Sequence, residues 1–112
     1  MSYYRARADI IDLTAPSGGV TVGLFYLIGA ILVMANVTAA EGELFAGVPR
    51  GLFDECAKAT GSAWTEGQKV YWDDTNKRFT ATATGNTLVG FAAAAAAAGD
   101  TTGSVILTGQ VV

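Results

Sequence analysis

Apolar and polar positions along the chain fall into short runs rather than long helical periods. The clearest alternation is KRFTATAT, residues 77–84. It sets Thr80, Thr82 and Thr84 on one face of a strand and Phe79, Ala81 and Ala83 on the other. Before it, residues 69–72 read as a strand and 73–76 as the turn. Asp73, Asp74 and Asn76 suit that turn, because such side chains bond nearby backbone and tolerate unusual dihedrals. Residues 10–14 read as a further strand, closed by a Pro and Gly turn over 15–19. Residues 43–46 and 51–56 are expected to be short strands, with a short helix over 53–59 as the alternative. Gly85-Asn86 signals a second turn into a strand over 87–91. The seven alanines at 92–98 are expected to be strand in their first half and loop beyond. SVILTGQVV supplies the last strand. Turns recurring about every 8–12 residues are the spacing of small all-β domains.

The run from 20 to 37, VTVGLFYLIGAILVMANV, admits three readings. It approaches the ~20 apolar residues that cross a bilayer, and VTAAEG after it resembles a signal-peptide cleavage site. Thr21, Gly23, Gly29 and Asn36 interrupt it, however, and no Lys or Arg lies between Arg7 and Arg50 to anchor its ends. The preferred reading is a pair of strands, 22–28 and 31–37, around Gly29. Their apolarity on both faces calls for burial on one side and core or a partner on the other. The expected fold is therefore all-β: a small single-domain β-barrel or jelly-roll-like sandwich with short hairpins and at most one short helix. Residues 9–112 form the domain and 1–8 an N-terminal arm.

Composition narrows the chemistry. A chain of 112 residues fits one domain that buries roughly 65% of its unfolded surface. The net charge is −3, with seven scattered Lys and Arg, so the phosphate footprint of a nucleic-acid binder is missing. There is no His, which removes the commonest general base, pH switch and zinc ligand. Cys56 is the lone cysteine and reads as a small buried hydrophobe. Asp73 and Asp74 lack the second acid or ligand set that catalysis or a metal would need. GDTTGS, residues 99–104, has the glycines of a phosphate loop without its Lys. No enzymatic activity, cofactor, metal site, nucleic-acid partner or membrane partner is expected.

Two surfaces stand out as candidate partner or subunit interfaces. One is the start of the chain, with Tyr3, Tyr4, Arg5 and Arg7, residue types favoured at interface hot spots; a frayed terminus is the alternative. The other is Leu24, Phe25 and Tyr26 in the apolar run.

The stretches TAPSGGVT, AAEGE and GSAWTEGQKVYWDDTNKRFTATATGNTLVGFAAAAAAAGD, with the closing strand, resemble the small capsid cement (decoration) proteins of tailed phages and prophages. The most specific part is Trp64, Gly67, Lys69, Val70, Tyr71, Trp72 and Asp73, then Gly85, Asn86 and Gly90. The resemblance implies a β-barrel or jelly-roll-like domain that binds the outer surface of the major capsid protein lattice, as a homo-oligomer, and stabilises the mature head. It implies synthesis in the host cytoplasm and residence in the virion. Trp64, Tyr71 and Trp72 are then expected in or near the core. Departures lie in the first third: Gly23-Leu24 stands where such proteins often carry Gly-Asp, and the YYRAR start is this chain's own. A fibre or tail adaptor of the same virion, or a small protein anchored in a membrane through 20–37, is the alternative.

Overall fold

In a computed structural model the described residues are 10–109. They form nine strands and no helix: β1 (Ile11–Thr14), β2 (Phe25–Ile28), β3 (Ile31–Ala35), β4 (Leu44–Val48), β5 (Arg50–Ala57), β6 (Lys69–Asp73), β7 (Arg78–Thr80), β8 (Thr87–Ala92) and β9 (Thr102–Thr108). Two antiparallel sheets result, ordered β1-β4-β3-β2 and β5-β9-β8-β6-β7, one of them curled into a half-barrel. The chain passes from the first sheet to the second at Pro49, between β4 and β5. A residue without an N–H fits that position, where neither ladder requires a donor.

The hairpin β2–β3 explains why residues 20–37 are apolar on both faces. Val33 and Ala35, with Tyr26 and Ile28, face one core cluster that also holds Ala15, Val20 and Phe45. Leu32, with Phe25 and Leu27, faces a second cluster containing Trp64, Val70, Trp72, Phe79, Val89, Val105 and Leu107 from the other sheet. Alternation with period two sends successive side chains to opposite faces, and here both faces find core. Among the described residues no helix is long and apolar enough to cross a membrane, so residues 20–37 supply no helical anchor.

Several expected boundaries differ. β2 starts at Phe25 rather than at 22, because residues 21–24 form a turn in which Leu24 N–H donates to Thr21 O at 3.2 Å. β3 stops at Ala35, short of 37. The return strand is three residues long instead of eight: Thr82 N–H donates to Thr80 Oγ1, and Asn86 closes a turn onto Ala83 O. A Thr-rich stretch can satisfy its backbone locally and leave the ladder. Of the alanines only Ala92 lies in a strand; Ala96 instead bridges Trp64 across a loop. Residues 53–57 are strand, so no helix forms over them. Cys56, Trp64 and Trp72 are buried and Tyr71 half-buried.

Candidate functional site

The acidic turn is structural. Asp73 Oδ1 accepts the N–H groups of Thr75 (3.1 Å) and Asn76 (3.2 Å), and its Oδ2 accepts Asn76 Nδ2 at 2.8 Å. The Asn76 side chain, its backbone N–H and that of Thr75 hold the Asp73 carboxyl below its ordinary pKa. Asp74 accepts Lys77 Nζ at 2.8 Å and Trp72 Nε1 at 3.0 Å, and the Lys77 bond is the largest cause of its own lowered pKa. Both carboxylates are spent on shaping a four-residue loop. No group of three or more His, Cys, Asp or Glu among the described residues is placed to hold a metal.

A groove of about 530 Å³ lies between the two sheets. β2 and the turn before it supply Gly23, Leu24, Phe25 and Tyr26; β5 supplies Leu52 to Ala57; Trp72, Lys77 and Phe79 close the back. The aromatic floor is interlocked: Phe25 meets Phe53 (5.3 Å) and Phe79 (5.1 Å) edge-on, and Trp72 meets Phe79 at 4.9 Å. Such tilted arrangements suit the ring quadrupoles. Leu24 (55%) and Leu52 (62%) stand exposed at its mouth. Tyr26 is half-buried, its hydroxyl accepting Thr21 N–H at 2.8 Å.

A bulge in β5 shapes one wall. Pairing with β9 slips between Phe53 and Cys56, and Glu55 adopts φ +57°. Lys77, at the back of the groove, has φ +55°. These are the non-glycine residues with positive φ among those described, and both line the groove. Backbone held in this region costs roughly 1–2 kcal/mol per residue, and such strain clusters at functional surfaces. Cys56 sits in the wall but is 3% exposed. Desolvation pushes its thiol up to about 11, so it is poorly disposed to act as a nucleophile.

The structure thus brings Leu24, Phe25 and Tyr26 together with Trp72 of the motif. Tyr3, Tyr4, Arg5 and Arg7 lie outside the described residues. The other motif residues lie away from the groove and serve the scaffold. Gly67 N–H donates to Ala92 O, Asn86 Nδ2 to Thr82 O, and Gly85 turns the chain at φ +76°. Gly90 lets β8 press on β9, where a Cβ would overlap the Ile106 carbonyl oxygen. Leu52, Phe53 and Glu55 are groove residues that sequence reasoning missed; residues 51–56 were legible as a strand, but the bulge left no signal.

A family model described as phage cement protein matches residues 6–107. The chain belongs to the phage cement protein family. Comparison with curated proteins and with solved structures gives no match. Membership makes this a phage structural protein of the capsid, located in the virion. The groove is accordingly considered as a contact surface of a cement protein.

Proposed function

We propose that this cement protein binds the outer surface of the major capsid protein lattice, as a homo-oligomer, and stabilises the mature head. It acts without catalysis or cofactor, after synthesis in the host cytoplasm. The contacts are assigned to Leu24, Phe25 and Tyr26, and to Tyr3, Tyr4, Arg5 and Arg7 in the arm 1–8 that precedes the β domain 9–112. The observation that carries this reading is the pair of exposed leucines, Leu24 and Leu52, at the mouth of an aromatic-floored groove in a member of this family. Apolar side chains converging on a concavity favour a partner that covers them. Weak individual contacts suffice where many copies act on one lattice.

Leu24→Glu is the direct test, since this residue is 55% exposed and its replacement leaves the core intact. It is expected to lower occupancy on capsids with little change in thermal stability. Deleting residues 2–8 is expected to do the same. Full occupancy by both variants would refute the assignment of these surfaces.

A further inference from the structure

β2 and β5 each end a sheet, in the orders β1-β4-β3-β2 and β5-β9-β8-β6-β7. Both also line the groove, so it lies between two strand edges. An edge strand turns alternate backbone N–H and C=O groups outward with no ladder to receive them. The two edges differ in protection. β5 carries a bulge between Phe53 and Cys56 and the charges of Asp54 and Glu55, devices that discourage pairing at an edge. Just past its end, Lys58 bridges Phe79 of β7. β2 has no such device. Its residues, Phe25 to Ile28, carry no charge, and their register against β3 is unbroken. Among the described residues neither a strand nor a loop bonds its outer backbone.

Charge selects what can pair there. Across the groove Asp54 and Glu55 are exposed, and neither has an ion pair among the described residues. Asp54 accepts the Ser104 hydroxyl at 2.8 Å. Lys77, at the back, is engaged by Asp74 at 2.8 Å. The Phe25 and Phe53 rings form the floor between these walls, and Leu24 and Leu52 stand exposed at the mouth. A strand that fits therefore offers apolar side chains on one face and cations on the other. The described strands of this chain offer no such alternation to a second copy: β5, β6 and β7 hold one cation each, Arg50, Lys69 and Arg78.

We infer that the groove receives an extended segment of another protein, in which Lys or Arg alternates with apolar residues, as a fifth strand on β2. Main-chain hydrogen bonds to β2 hold the segment, and alternate side chains give selectivity. Its apolar residues rest on Phe25 and Phe53, and its cations reach Asp54 and Glu55. The inference rests on the reading of this groove as the contact surface and adds the kind of segment that occupies it.

The test uses the full chain and a capped probe peptide, Lys-Val repeated three times, followed by amide NMR. Saturable shifts are expected at residues 24–27 and 53–55, larger than those in β8 and β9. A peptide with Pro in place of each Val lacks the alternate N–H donors and is expected not to bind. The protein with Asp54→Asn and Glu55→Gln is expected to bind the Lys-Val peptide at least threefold more weakly, and the unmodified protein to lose affinity in high salt. Absence of groove shifts overturns the inference, as does equal binding of the Pro peptide, which would mean that side chains alone dock. A concentration-dependent dimer that blocks the peptide also overturns it, because a second copy would then fill the groove. Peptide binding by a protein that fails to bind capsids would refute the capsid reading and leave the strand-accepting edge standing. Capsid binding without peptide binding would do the reverse.

Discussion

Replacing Lys58 by Met tests how the loops around the core are held. Lys58 is 3% exposed at the end of β5, and among the described residues its ammonium meets carbonyls and no carboxylate. Its Nζ donates to the carbonyls of Ser62 (2.9 Å), Ala59 (3.1 Å) and, at 3.4 Å, Asp100, and stands 5.5 Å from the Trp64 ring centre. One side chain thereby ties the loop after β5 to the loop before β9. Hydrogen bonds from a charged donor contribute about 1.5–3 kcal/mol each, and a desolvated cation over indole up to ~2 kcal/mol. Burying an ammonium costs several kcal/mol in the opposite sense. Met keeps the apolar stem but deprives three carbonyls of their shared donor. Two full-strength bonds and the ring contact, less desolvation, leave a net loss of about 2–4 kcal/mol. Urea unfolding followed by tryptophan fluorescence is expected to show this as a lower midpoint with an unchanged slope. Amide exchange at Trp64 and Ala96, which bond each other across the loops at 2.9 and 3.0 Å, is expected to quicken. A loss below ~0.5 kcal/mol, or a gain, would refute the reasoning, since desolvation would then cancel the attraction.

Other perturbations separate backbone fit from titration. Gly90→Ala is expected to cost about 3 kcal/mol or more, because its Cβ would meet the backbone of Ile106 and, at 3.2 Å, the Leu107 Cα. Gly99→Ala, with open space around it, is expected to change stability by less than ~0.5 kcal/mol; equal effects in the two melting curves would contradict the close approach. Asp73 has a folded pKa below 3.8, so its contribution is complete above about pH 4 and is lost as pH falls through the folded value. The stability gap between the protein and Asp73→Asn should accordingly narrow on acidification. Cys56 has the opposite sign: its folded value of about 11 lies above 9.0, so its contribution is full below pH ~9 and fades as pH rises towards ~11. A thiol reagent at pH 8 should label the folded protein far more slowly than the unfolded one, and equal rates would place Cys56 outside the wall.

Local hairpins were legible in the sequence because their cause is local. Alternation and turn chemistry located β2–β3 around Gly29 and β6–β7 around Asp73, and Gly85-Asn86 located the turn into β8. Boundaries failed where a segment could satisfy itself. Thr82 leaves the ladder for Thr80, and the alanines, lacking β-branching, leave it after Ala92 to reach Trp64. Long-range features were illegible for a different reason. The groove needs β2 and β5 from different sheets, and Lys58 gains one of its acceptors from Asp100, forty-two residues away. Of the candidate interface, Leu24, Phe25 and Tyr26 stood out as an uninterrupted apolar run, whereas Leu52 and Glu55 acquire their places only through the bulge in β5.

The most direct test of the cement role is cosedimentation of the purified protein with capsids that lack it, taken before and after shell expansion. The account predicts saturable binding at a copy number matching the lattice. A soluble, folded protein that binds neither shell would contradict it.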